Sequence, residues 1–213
     1  MITERGFTLN GRSRVFFVRS NEPKAPNCRH GSKQWKPERK FTMKKTNIVL
    51  IGMPCAGKTT IGRMLSERTG MPHVDTDAEI VKNAGMPIPE IFRDYGEKTF
   101  RDMETREVRA AAKEADGRVI STGGGAVLRE ENVQALKKTG LLIFLDRPLE
   151  KLMPAEDRPL SGDREKLEKM YIVRYPIYRA AADVRIPADG TPEEVLEKVL
   201  AAAGGPKAQE RTA

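Results

Sequence analysis

Two hydrophobic periods alternate along the chain from about residue 46 onward. Short apolar runs predict buried β-strands, and the stretches between them carry apolar residues at every third or fourth position, as one face of a helix does. The predicted strands span residues 46–51, 72–75, 118–121, 141–145 and 184–186. The predicted helices span residues 58–69, a segment ending before Gly85, 88–94, 97–115, 130–138, 164–181 and 192–203.

Strands that alternate with helices are typical of an α/β protein, in which helices cover both faces of a parallel sheet. A chain of 213 residues is long enough for one such domain and an appendage. In open parallel sheets the ligand binds beyond the carboxyl ends of the strands. The polar and glycine-rich residues that follow the predicted strands are therefore the first candidates for a functional site.

Basic residues are concentrated before the first predicted strand. The chain has a formal charge of +8, and residues 1–43 hold ten Lys or Arg against three acids. The α/β region is therefore nearly neutral, which argues against nucleic-acid binding by that region. The basic segment has little apolar periodicity and scattered Pro and Gly, a composition typical of disorder.

We expect three segments: a basic extension over residues 1–42, an α/β domain over residues 43–204 and a flexible tail over residues 205–213. Met43 is the expected natural start, with organelle targeting or a phosphate- or nucleic-acid-binding arm as alternative roles for the extension. Two cysteines do not make a disulfide framework. The sequence contains no run of 18 apolar residues, so we predict no transmembrane helix. The cysteine content leads us to expect a cytoplasmic protein, and we also expect a monomer.

Residues 52–59, GMPCAGKT, match the G-x-x-x-x-G-K-[ST] pattern between a predicted strand and a predicted helix. Backbone N–H groups of such a loop and the dipole of the following helix bind phosphate oxygens. Lys58 is expected to neutralise the β- and γ-phosphates of ATP, and Thr59 to ligate Mg²⁺. A glycine-rich turn without a ligand is the alternative. Cys55 lies in this loop without an evident paired base, which favours a small loop residue over a nucleophile.

Residues 121–126, STGGGA, follow the third predicted strand. Three glycines let the backbone pass close to a ligand because no Cβ intervenes. The run is therefore interpreted as a wall of the substrate site, with a flexible turn as the alternative.

Residues 100–104, FRDME, place Arg101 and Glu104 on one face of a predicted helix. The glutamate would hold the guanidinium in place, and a rigid guanidinium is suited to recognising a substrate carboxylate. A solvated surface pair is the alternative.

Residues 156–163, EDRPLSGD, form a charged loop between the fourth predicted strand and a long helix. We interpret the loop as a mobile lid whose Arg158 closes over the transferring phosphoryl group; an ordinary exposed loop is the alternative. In residues 174–179, RYPIYR, the Tyr and Ile spacing predicts core contacts, and Arg179 is expected to face either the cleft or solvent.

The segments GMPCAGKTTIGRMLS, DTD, FRDME, STGGG, DRPL and RYPIYRAAAD occur in the order found in shikimate kinases. The chain resembles this family, P-loop kinases of the nucleoside-monophosphate-kinase type, from about Met43 to Leu200. The resemblance implies a five-stranded parallel sheet in the order 2-3-1-4-5 with a mobile lid. It also implies that the γ-phosphoryl group of ATP is transferred to the 3-hydroxyl of shikimate, in aromatic amino acid biosynthesis.

Position by position, the resemblance implies two binding sites, a metal site and a catalytic set. The residues implied for shikimate are Asp77, Arg101, Gly123, Gly124, Gly125 and Arg179, with Glu104 orienting Arg101. The residues implied for ATP are Cys55, Ala56, Gly57, Lys58, Thr59, Thr60 and Arg158. The residues implied for Mg²⁺ are Thr59 and Asp75. The residues implied for catalysis are Lys58, Asp77 and Arg158.

The stretch VDTD places Asp75 at the end of the second predicted strand and Asp77 at the start of a helix. Their carboxylates therefore need not converge. The resemblance assigns Asp75 to Mg²⁺ through bound water, and Asp77 to the shikimate hydroxyls and the proton of the 3-hydroxyl. The alternative is that Asp77 only caps the helix.

Two positions depart from the family pattern. Lys151 stands where the family often has an arginine that stacks on adenine, and lysine is a poorer stacking cation. Ser161 stands where an apolar residue of the lid is common. The adenine loop is expected near residues 189–192.

Two alternative functions are considered. One is another small-molecule P-loop kinase, for gluconate or a nucleoside monophosphate, and the other is a nucleotide-gated nucleic-acid binder. The paired arginines and the DTD segment favour shikimate.

Overall fold

The computed structural model describes residues 47–113, 115–152 and 164–204. The chain divides into two units, Met1–Phe41 and Thr42–Ala213, and the described residues all belong to the second. Within the described ranges, no helix is long and apolar enough to cross a membrane. The predicted N-terminal extension, the C-terminal tail and the lid loop with Arg158 and Ser161 lie outside the described residues.

The described part of the chain alternates strands and helices. In chain order its elements are β1 (Asn47–Ile51), α1 (Lys58–Thr69), β2 (His73–Asp75), α2 (Thr76–Ala84), α3 (Ile88–Ala111), β3 (Val119–Ser121), α4 (Glu130–Thr139), β4 (Gly140–Asp146), α5 (Arg164–Ala181), β5 (Val184–Pro187) and α6 (Pro192–Ala202). The predicted elements are confirmed with small shifts at their ends. One difference is that the two helices predicted over 88–94 and 97–115 form the single kinked helix α3, which ends at Ala111.

The five strands form one parallel sheet in the order β2-β3-β1-β4-β5. The register places Ile48 of β1 opposite Val119 of β3 on one side and Leu141 of β4 on the other. This order confirms the α/β sheet that the family resemblance implied. Because β1 is central, the loop that follows it lies in the middle of the carboxyl edge, between the β2–β3 side and the β4–β5 side.

Helices cover both faces of the sheet, because successive side chains of β1 belong alternately to two core clusters that include different helices. Val49 and Ile51 belong to a core cluster that includes residues of α3, α4 and α5. Ile48 and Leu50 belong to a second cluster, which includes residues of α1 and α6. Successive side chains of a strand point to opposite faces, so a continuously apolar strand is required where both faces are buried.

A smaller apolar cluster joins α2 to the first half of α3. Its buried members are Ile80, Ile91 and Phe100. Helix α3 is interrupted at Gly96, whose φ of 77° and ψ of 169° are not helical, and glycine adopts this backbone conformation at little cost. The kink starts a new helical segment at Glu97, which carries Arg101 and Glu104 in its first turns.

Candidate active site

The loop between β1 and α1 is held together by the side chain of Lys58. Its Nζ donates to the carbonyl oxygens of Gly52 and Met53 at 2.9 and 2.8 Å. Helix α1 begins at Lys58, and within the described part of the chain no side chain caps its first turn. The backbone N–H groups of that turn are therefore oriented as a helix N-terminus that suits an anion.

A cavity of about 250 Å³ lies over this loop. Its lining residues are Cys55, Gly57, Lys58, Thr59, Thr60, Asp75, Asp77 and Thr122. The structure thus brings together five of the loop residues that the resemblance assigned to ATP. Ala56 differs, because its side chain is buried in the core cluster beneath the loop.

Thr59 and Asp75 meet at the edge of this cavity. The hydroxyl of Thr59 donates to Asp75 Oδ2 at 2.6 Å. The other carboxylate oxygen, Oδ1, accepts from the backbone N–H groups of Asp77 and Ala78 at 3.0 and 3.2 Å. Asp75 therefore caps α2, and the alternative in which Asp77 supplies the cap is wrong.

A second, larger cleft of about 540 Å³ opens beside the first. Its polar end is lined by Asp77, Arg101, Glu104, Gly124, Gly125 and Arg174. Its apolar wall comes mainly from Val81, Pro87, Ile88, Phe92, Phe100 and Met170. Asp77 lines both cavities, so it lies where the two adjoin.

Arg101 and Glu104 form a buried ion pair at the polar end of the cleft. Nη1 of Arg101 donates to Glu104 Oε2 at 2.9 Å, and the two side chains are 10% and 1% exposed. This burial excludes the alternative of a solvated surface pair. Burial also raises the pKa of Glu104, and the nearby Arg101 offsets that rise only in part. Burial alone would lower the pKa of Arg101, but Glu104 and Glu97 together raise it.

The three glycines of residues 123–125 are required by the side chains of the site itself. A Cβ on Gly123 would overlap Asp77 Oδ1 and lie 2.8 Å from Glu104 Oε1. A Cβ on Gly125 would overlap the guanidinium of Arg101, and one on Gly124 would lie 2.9 Å from Pro54 Cδ. The missing Cβ atoms thus allow the two carboxylates, the arginine and Pro54 to pack against the loop that follows β3.

The loop after β3 is held in place by hydrogen bonds at Gly123 and at Gly124. The backbone N–H of Gly123 donates to the hydroxyl of Thr76, the first residue of α2, at 3.0 Å. The carbonyl oxygen of Gly124 accepts from the hydroxyl of Tyr178 at 2.5 Å and from Arg174 Nη1 at 3.3 Å. Burial raises the pKa of Tyr178 to about 12, so its hydroxyl stays protonated and donates at neutral pH.

Arg174, and not Arg179, is the arginine of α5 that lines the cleft. Arg174 is buried, at 8% exposure, whereas Arg179 is exposed, with its Cζ 6.0 Å from the ring centroid of Tyr175. Five residues correspond to about 140° around an α-helix, so the two arginines point in different directions. The expectation that Arg179 lines the substrate pocket is therefore corrected.

A signal for Arg174 was present in the sequence. Arg174 precedes Tyr178 by four residues, so the two share a helical face, and Tyr178 is fully buried. Sequence reasoning assigned the tyrosine to the core without placing the arginine on the same face.

Lys151 follows β4, on the β4–β5 side of the carboxyl edge of the sheet. Its Nζ donates to the carbonyl oxygen of Asp189 at 2.6 Å. The neighbouring Arg147 donates from Nη1 to Ala188 O at 3.3 Å and from Nε to Lys151 O at 2.9 Å. These contacts tie the loop after β4 to the loop after β5, where the adenine loop was expected.

The protein has the P-loop kinase fold: a phosphate-binding loop follows the central strand of a sheet in this order, and a second cleft opens beside it. A family model described as shikimate kinase matches residues 54–203. A shikimate kinase of Clostridium beijerinckii is 45% identical over 149 residues, which cover 68% of this chain and 87% of that protein. A shikimate kinase of Rhizobium meliloti is 38% identical over 170 residues, which cover 76% and 88%.

Solved structures agree with the sequence relatives. The shikimate kinase from Acinetobacter baumannii in complex with shikimate has a TM-score of 0.70 at 34% identity, covering 74% of this chain and 92% of that one. The shikimate kinase from Aquifex aeolicus has a TM-score of 0.64 at 34% identity, covering 74% and 96%. The chain belongs to the shikimate kinase family.

Proposed function

We infer that this protein transfers the γ-phosphoryl group of ATP to the 3-hydroxyl of shikimate, in the biosynthesis of chorismate and the aromatic amino acids. Membership of the family supports the reaction. The observation that carries the site is the position of Asp77, which lines both the phosphate-loop cavity and the cleft with the two buried arginines. An acceptor in that cleft would meet the terminal phosphate at this carboxylate.

The polar end of the cleft suits a small hydroxylated carboxylate. Arg101 and Arg174 are buried cations, and hydrogen bonds between a guanidinium and a carboxylate are strong and directional. We propose that these arginines bind the carboxylate of shikimate. Asp77 accepts hydrogen bonds from its ring hydroxyls, and the run from Gly123 to Gly125 forms the wall beside them.

The nucleotide site is proposed from the loop before α1. Lys58 and the backbone N–H groups of the loop bind the phosphates of ATP, while Thr60 and Cys55 line the same cavity. Thr59 and Asp75 present hydroxyl and carboxylate oxygens 2.6 Å apart, and oxygen donors of this kind are those that Mg²⁺ takes. Bound there, the ion would neutralise phosphate charge.

In the proposed transfer, the oxygen of the 3-hydroxyl forms a bond to the γ-phosphorus as the bond to the β-phosphate oxygen breaks. Asp77 orients the hydroxyl and takes its proton, and ADP leaves. Lys58 stabilises the charge on the transferring group, because catalysis of phosphoryl transfer depends mainly on position and electrostatics. The assignment of Arg158 to the phosphates remains a prediction, since that residue lies outside the described ranges.

An assay of ADP formation with purified protein tests this function. We expect turnover with shikimate, one ADP for each shikimate 3-phosphate, and none above background with gluconate or a nucleoside monophosphate. Turnover with one of those acceptors and not with shikimate would contradict the proposal.

We also propose that the protein is a cytoplasmic monomer. Size-exclusion chromatography with light scattering tests the oligomeric state.

Replacing Arg174 by Ala is expected to raise the KM for shikimate and leave the KM for ATP nearly unchanged. Hydrogen bonds to charged groups contribute roughly 1.5 to 3 kcal/mol, so kcat/KM for shikimate should fall about ten- to hundredfold. Arg179→Ala is the matched control, because it removes an exposed arginine from the same helix. A larger loss in the Arg179 variant than in the Arg174 variant would reverse our assignment.

A further inference from the structure

A second carboxylate holds Arg101, in addition to Glu104. Nε and Nη2 of Arg101 both donate to Glu97 Oε1, at 3.2 and 3.0 Å. We propose that Glu97 is a positioning residue for shikimate recognition, which orients the Arg101 guanidinium toward the carboxylate of the substrate. This inference rests on the proposed function, and it adds a residue to which the family resemblance gave no role.

The count of donors on Arg101 supports a role in recognition. A guanidinium has five N–H groups: one on Nε and two on each Nη. Glu97 takes one from Nε and one from Nη2, and Glu104 takes one from Nη1. Within the described residues, these bonds leave one N–H on Nη1 and one on Nη2 unused. Donors on these two neighbouring nitrogens suit the two oxygens of a carboxylate.

The two glutamates act on different edges of the guanidinium. A single hydrogen bond from Nη1 to Glu104 Oε2 would let the group rotate, whereas Glu97 Oε1 holds a second edge, so the two acceptors together restrict its orientation. Gly125 restricts it further, because the guanidinium packs where a Cβ of that residue would lie. An arginine fixed in this way loses little conformational freedom when the substrate binds.

The kink in α3 places Glu97 in position for this contact. Gly96 interrupts the helix, and Glu97 begins the following segment four residues before Arg101, so the two side chains share a face. The side chain of Glu97 is 53% exposed, whereas that of Glu104 is 1% exposed. Solvent screens a carboxylate this exposed, so its ion pair contributes little to folding stability. Loss of Glu97 should therefore affect substrate binding more than stability.

The test compares Glu97→Ala and Glu97→Gln in the full chain, with each substrate varied in turn. We expect Glu97→Ala to raise the KM for shikimate about two- to tenfold, from the lost preorganisation of one long side chain. The KM for ATP and kcat should stay near their original values. Glu97→Gln keeps an oxygen that can accept both hydrogen bonds, so it should restore most of the loss.

A matched control separates this role from a surface ion pair. Glu165 forms an i,i+4 pair with Lys169, and its side chain is 78% exposed, so Glu165→Ala should leave both KM values unchanged. An unchanged shikimate KM in Glu97→Ala, equal rises for both substrates, or a Gln variant as impaired as the Ala variant would overturn the proposal. Failure of the unaltered protein to phosphorylate shikimate would refute the proposed function instead.

Discussion

Replacing Lys58 by Met is expected to lower kcat by about 10²- to 10³-fold, the usual effect of removing one group that stabilises transition-state charge. The Lys58 ammonium lies buried in the phosphate loop, within 3 Å of the carbonyl oxygens of Gly52 and Met53. Methionine keeps most of the side-chain volume and removes the charge. Steady-state assays with ATP and shikimate, together with a melting curve, measure the effect.

Lys198→Met is the control for this prediction. Lys198 also donates to a backbone carbonyl, that of Pro187 at 3.3 Å, but from an exposed position on α6. Its loss should leave kcat unchanged. If the Lys58 variant keeps near-normal turnover while its melting temperature falls, Lys58 is only a structural tie across the loop, and its catalytic assignment is wrong.

The parts of the fold that could be predicted from the sequence depend on local patterns. The continuous apolar character of β1 follows from burial on both faces of the sheet, and the phosphate loop is a contiguous motif whose backbone geometry its glycines permit. The pairing of Arg101 with Glu104 follows from helical spacing alone. Such features need no knowledge of distant contacts.

The features that were missed depend on contacts between distant segments. The direction of Arg174 is set by the packing of α5 against the loop after β3, where it reaches Gly124. Sequence reasoning also explained the three glycines by a ligand, whereas Gly123 first accommodates Asp77 and Glu104, Gly125 accommodates Arg101, and Gly124 accommodates Pro54. The packing of the glycines has no signature in the local sequence, and the direction of Arg174 is indicated there only by its four-residue spacing from Tyr178.

The division of labour between Asp75 and Asp77 is the most informative case, because it combines both kinds of information. Their spacing in the sequence indicated that the two carboxylates need not converge, and the family resemblance implied separate roles. The structure adds that Asp75 contacts Thr59 while Asp77 lines the larger cleft. Asp75 also caps α2, and asparagine caps helices as well as aspartate does. The variant Asp75→Asn should therefore fold normally, so that a change in its kinetics reports on the site.

Asp77→Asn is expected to lower kcat by about 10²- to 10⁴-fold, the range for loss of a positioned general base. The amide cannot take the proton of the acceptor hydroxyl, and it also weakens shikimate binding, while the response to Mg²⁺ concentration stays unchanged. Asp75→Asn should instead raise the Mg²⁺ concentration needed for half-maximal activity, with turnover recovering as Mg²⁺ is added. Titrations of both variants with Mg²⁺ at saturating ATP distinguish these outcomes. If added Mg²⁺ restores both variants alike, the two aspartates share the metal, and the separation of their roles is wrong.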